Sequence, residues 1–89
     1  MRTSEAYIRA ATESALTKAV DVGAQSVALP AFGTGVGGFA LERAATTMAE
    51  VAIAAAAAGK APPRVVFVVR TDEARRPFVA ALRESDRDR

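Results

Sequence analysis

Four of the chain's six glycines, Gly33, Gly35, Gly37 and Gly38, stand within six consecutive positions, and their flanks narrow the fold more than any other feature. Before them runs the short apolar stretch Ser26-Val27-Ala28-Leu29, closed by Pro30. After them come Leu41 and a long alanine-rich stretch of helical period. Strand, glycine loop and helix is the order in which parallel α/β proteins build ligand sites. Glycine tolerates φ > 0 and has no Cβ to hold a phosphate away. Successive N–H groups can therefore curl into an anion-binding concavity at the positive end of the following helix. The sequence places a diphosphate or similar anion there. Its candidate ligand-binding set is Gly33, Thr34, Gly35, Val36, Gly37, Gly38 and Phe39.

The remaining pattern is consistent with that frame. Thr3 or Ser4 can N-cap a first helix, with Glu5 in its first turn. Ile8, Ala11, Ala15, Leu16, Ala19 and Val20 recur at helical spacing, with Arg9 and Glu13 paired at i,i+4 outside that face. Gly23 is placed to end the helix near Val22 in the left-handed conformation. Pro30 removes a ladder donor, so the first strand is expected to stop as the loop starts. Leu41, Ala44, Ala45, Met48, Ala52 and Ala55 give a second helix its apolar stripe, and Glu42, Arg43, Thr46, Thr47 and Glu50 its wet side. The alanine run at residues 54–58 reads as close helix-to-sheet packing, since alanine favours the helix but buries little area. Gly59, Pro62 and Pro63 stop that helix. Residues 65–69 are apolar without alternation, as in a strand buried on both faces of a parallel sheet. Asp72 can cap a last helix in which Phe78, Val79 and Leu82 face inward, while Pro77 removes an interior hydrogen bond unless the helix begins near Arg76. From Arg83 onward the chain is nearly all charge.

Composition removes much ordinary enzymology. With no cysteine and no histidine, disulfides, thiol nucleophiles, thiolate or imidazole metal sites and the Ser-His pair are excluded. The net charge of +2 arises from twelve basic and ten acidic residues that interleave, so nucleic acid is not indicated. No apolar run approaches the roughly 20 residues of a membrane span and no signal-peptide core precedes the first helix, which makes a cytoplasmic location the expectation. Two motif readings compete for the glycines. Gly33, Gly35 and Gly38 satisfy the G-x-G-x-x-G spacing of dinucleotide-binding folds. Against it, Pro30-Ala31-Phe32 separates strand from loop, and the next strand ends in Arg70 where an acid is expected. A P-loop is excluded because no Gly-Lys-Ser/Thr follows. Glu42, in a helix's first turn, reads as dipole complementation, and Phe32 as core.

The run Pro30-Ala31-Phe32-Gly33-Thr34-Gly35-Val36-Gly37-Gly38-Phe39, with Ser26-Val27-Ala28-Leu29 before it, resembles the second ligand loop of macrodomains, a family that binds ADP-ribose and related ligands. The resemblance implies that the loop cradles the diphosphate and distal ribose. It also implies that Thr34 either donates its hydroxyl to a phosphate or only stabilises the turn. Phe39 either lines the ribose pocket or staples the helix entry. Arg70 and Asp72 lie in the region that approaches the adenine side, or else serve only as a cap and a surface ion pair. Ala40 stands where the family usually has proline, which mainly pre-sets the first helical turn. The element order matches the C-terminal half of that family's domain. The implied fold is α/β, a partial three-layer α/β/α arrangement of order α-β-α-β-α with two parallel strands. Residues 1–84 form the domain and residues 85–89 a charged disordered tail. The family's early strands, adenine-holding acid and Asn- and Gly-rich first loop have no counterpart in these 89 residues.

Two function classes follow from the resemblance. One is a binding module for ADP-ribose or a related nucleotide, which needs no ionisable catalyst and no cofactor. The other is an ADP-ribosyl hydrolase whose N-terminal half is missing; hydrolysis in such relatives depends largely on the absent first loop, so binding is the expectation. A Rossmann-like dinucleotide-binding fragment remains the alternative. Two strands alone are marginal and exposed edges recruit others. The expected assembly is therefore a homodimer that extends the sheet or a complex with a separate N-terminal half, as a truncated product would require.

Overall fold

A computed structural model describes residues 5–32 and 41–87, with residues 85–87 described by backbone only. The order is α1 (Glu5–Asp21), β1 (Ser26–Pro30), α2 (Leu41–Ala57), β2 (Arg64–Val68) and α3 (Asp72–Arg87). β1 and β2 pair in parallel with Ser26 opposite Arg64 and Pro30 opposite Val68. Both strands therefore end at the same edge, where α2 and α3 begin. The α-β-α-β-α order and the parallel pairing are those implied by the sequence.

Both helix-to-strand connections, α1 to β1 and α2 to β2, begin with the same helix stop. The Gly23 N–H donates to the Val20 carbonyl and the Ala24 N–H to the Ala19 carbonyl, at 3.0 and 2.9 Å, with Gly23 at φ +71°. At the end of α2, Gly59 donates to Ala56 and Lys60 to Ala55, at 3.1 and 2.7 Å, with Gly59 at φ +73°. Each is a Schellman pair that satisfies carbonyls the helix leaves open. The expected capping residues Thr3 and Ser4 lie outside the described residues. For α3 the expectation needs correction. The Thr71 hydroxyl accepts the Ala74 N–H at 3.0 Å, so Thr71 is the N-cap and Asp72 the first helical residue. Pro77 lies inside α3, which starts well before Arg76 and runs through Arg87.

α2 is the central helix, lying against both α1 and α3. Ala44, Ala45, Ala49 and Ala52 are buried around Met48, and their small side chains let the neighbouring helices approach closely. Ile8 and Leu16 of α1, Leu29 of β1 and Phe78 of α3 complete the core. Phe67 of β2 meets Phe78 of α3 with ring centroids 5.2 Å apart and planes tilted by 32°, a favourable aromatic geometry. Several packing expectations are corrected. Thr47 is buried although the pattern places it on the wet side; Thr12 is buried as well, its hydroxyl donating to the Ile8 carbonyl at 2.8 Å. Val20 is exposed, and Arg9 pairs with Glu5 and Glu50, not Glu13. Ala54, Ala56, Ala57 and Ala58 are exposed, because close packing falls half a helix earlier.

The sheet is covered on one face by the described elements. Val27, Leu29, Val65, Phe67 and Val69 pack on the helices. Ser26, Ala28, Pro30, Arg64 and Val68 are exposed on the other face, and Val66, whose side chain alternates with theirs, is half-buried. Residues 65–69 are therefore not buried on both faces, although their composition reads so. No described helix is long and apolar enough to cross a membrane.

Candidate functional site

The carboxyl ends of β1 and β2 open into a cavity of about 390 Å³ lined by Pro30, Ala31, Leu41, Val68, Arg70 and Ala74. Five of these are apolar and come from four places: the ends of both strands and the first turns of α2 and α3. The parallel topology forces this convergence, since each strand leads directly into a helix at the same edge. The positive ends of two helices therefore border one hollow. Phe32 and Leu41, which bracket the glycine loop, are half-buried and pack against the core, so both attachment points of the loop are fixed. Phe32 thus packs against the core, as the sequence implies.

The candidate ligand-binding residues Gly33, Thr34, Gly35, Val36, Gly37, Gly38 and Phe39 lie outside the described residues. The cavity adjoins them by connectivity, because Ala31 and Leu41 stand on either side of the loop. Arg70 lines the cavity and is the one ionisable side chain among its described lining residues. Asp72 does not line it. Glu42 faces a separate surface hollow with Glu5, Arg43 and Thr46, so no acid chemistry is attached to it here. Sequence reasoning missed Pro30, Ala31, Leu41, Val68 and Ala74 as lining. Their apolar character at element ends reads as core, and only the shared strand polarity marks them.

Electrostatic perturbation is found away from this edge. The Arg9 guanidinium is held above its usual value by a side-chain hydrogen bond to Glu50, opposed by desolvation and reinforced by Glu5. Its nitrogen lies 3.2 Å from Glu50 and 3.4 Å from Glu5, and Arg43 reaches Glu5 at 3.5 Å. This network ties α1 to α2 and borders a smaller cavity, about 290 Å³, between those helices. Among the described residues no group of three or more acidic, histidine or cysteine side chains could hold a metal.

Fold and site together define a parallel α/β protein with a hollow at the carboxyl ends of its strands, beside a glycine-rich loop. The macro domain family matches residues 1–48, which take in α1, β1, the entire glycine loop and the first half of α2. The chain belongs to that family, whose members in general bind ADP-ribose-type ligands. It is also similar to uncharacterised proteins of Mycobacterium tuberculosis and Mycobacterium bovis, each 46% identical over 84 residues. Those alignments cover 94% of this chain and 23% of either relative. An uncharacterised protein of the archaeon Aeropyrum pernix is 40% identical over 76 residues, covering 84% of this chain and 39% of the relative. The chain thus spans well under half the length of the curated relatives it matches.

Proposed function

We propose that the chain binds ADP-ribose or a related nucleoside diphosphate derivative, with the diphosphate on the backbone amides of residues 33–39. The observation that carries this reading is the family match through the glycine loop, next to a hollow at the strand ends. Bare glycine N–H groups supply donors without bulk, and the α2 N-terminus adds a favourable field for negative charge. The apolar lining suits the uncharged parts of such a ligand. Binding is favoured over hydrolysis because Arg70, the single ionisable group in the described lining, cannot act as a general base. Association with further strands, from a second copy or a separate N-terminal half, belongs to the same reading.

Calorimetric titration with ADP-ribose tests it. The parent chain binds, and Gly35→Val loses binding by at least about 100-fold, because a β-branched side chain enters phosphate space and disfavours φ > 0. Equal affinity of parent and variant removes the loop from the site, and no binding by the parent shows that this half of the site is insufficient alone.

A further inference from the structure

Arg70 gives the strand-end hollow a charge that nothing else in its described lining answers. It follows β2 by two residues and stands immediately before Thr71, the cap of α3. Val68 and Arg70, two positions apart, both line the hollow, whereas Val69 between them packs on the core. Val68 is paired in register with Pro30, and Ala31, from which the glycine loop departs, lines the same hollow. The guanidinium therefore belongs to the β2 side of a space whose β1 side leads into the loop.

The surroundings restrict what that guanidinium can hold. Pro30, Ala31, Leu41, Val68 and Ala74 bring no carboxylate, hydroxyl or amide side chain to the lining. Arg70 is exposed and enters no ion pair among the described residues, and the acids of the first turn of α3, Asp72 and Glu73, do not line the hollow. An arginine offers donors only, so it cannot accept the protons of ribose hydroxyls. That is the service of the strand-end acid in dinucleotide-binding folds, where an arginine nearby accommodates a 2′-phosphate instead. Its planar fork matches a phosphate monoester with two parallel hydrogen bonds, and apolar walls limit the water that would weaken them. With the diphosphate assigned to the glycine amides, Arg70 is left for a second anion about one sugar away. We propose, resting on the nucleotide reading above, that the ligand is a nucleoside diphosphate derivative whose nucleoside ribose carries a further phosphate monoester, held by Arg70. Esters at the 2′ and 3′ hydroxyls share this chemistry, and the probes separate them.

Calorimetric titration of the 89-residue chain compares ADP-ribose with ADP-ribose 2′-phosphate, and ADP with its 3′-phosphate. In at least one pair the phosphorylated probe is expected to bind about tenfold or more tighter, as a charge-assisted contact supplies, and that pair identifies the hydroxyl. Added salt shrinks the advantage. Arg70→Gln brings the two affinities of that pair to within about twofold, while Arg70→Lys, a point charge without the fork, keeps part of the advantage. Arg76→Gln removes an equal charge from an exposed position outside the hollow and leaves the advantage in place. If Arg76→Gln erases it as fully as Arg70→Gln, the preference is a general field effect and the proposal falls. Equal binding within both pairs by the parent also overturns it, and leaves the nucleotide reading standing. So does an Arg70→Gln chain that binds all four probes more weakly by one common factor, which puts the guanidinium on the base. Binding of none of the four overturns it too, because the hollow of this chain then holds no nucleotide.

Discussion

Gly23 shows how a single position is settled by local physics. Its φ of +71° is a conformation that L side chains rarely adopt, and a Cβ built there meets nothing within 4 Å. Any penalty for a side chain is therefore backbone strain alone. Gly23→Ala is expected to lower stability by about 1–2 kcal/mol in urea unfolding, and an unchanged midpoint would show that the helix end relaxes. This position was legible because helix termination by glycine depends on neighbours in sequence. Thr12 was not, since a threonine that donates to its own helix at Ile8 looks polar in the pattern while lying fully buried. Nor was Arg9's choice of partner, because Glu50 is 41 residues away and proximity across helices leaves no local signature. That exposed network contributes little, about 0.2–1 kcal/mol per pair.

At the scale of the element, α3 combines a good start with a defective interior. Thr71 caps it, Asp72 and Glu73 complement its dipole, yet Pro77 sits six residues in and offers no N–H to the Glu73 carbonyl. Packing outweighs the defect: Phe78 is buried on the following position and stacks on Phe67. Pro77→Ala is therefore expected to stabilise the chain by about 1–3 kcal/mol, read as a raised melting temperature with unchanged fold. A fall in stability would mean that the ring's own contacts exceed the lost hydrogen bond. The sequence raised Pro77 as a reason to start the helix late. Local rules gave the right conflict and the wrong resolution, because the deciding aromatic contact spans β2 and α3. The strands show the converse. Both were readable as elements, and Pro30 closes β1 as expected, but the apolar run at residues 65–69 could not reveal that one face has no cover among the described residues. The glycine loop lies outside the described residues, and the apolar lining of the strand-end hollow becomes visible only once both strand ends are placed together.

At the scale of the molecule, the described residues form a helical layer on two strands whose far side has no cover among them. Ala28 and Val68 are exposed there, Val68 by 52%, with Pro30 and the half-buried Val66 beside them. An isolated pair of strands gains its stability from one packed face, here through Leu29, Val65 and Phe67. The bare face contributes nothing to that core, while it offers apolar area to other molecules. Placing a charge on it should therefore separate folding from association. Ala28→Lys adds a long solvated side chain to β1 at a position outside the strand-end hollow. Its unfolding free energy is expected to stay within about 0.5 kcal/mol of the parent, as for other exposed substitutions. Light scattering and sedimentation of concentrated samples should report less association than in the parent. If Ala28→Lys instead unfolds the chain, with losses on the order of those from burying an unpaired charge, this face is packed in the folded protein and the two-layer description is wrong. If folding and association are both unchanged, self-association does not run through this face.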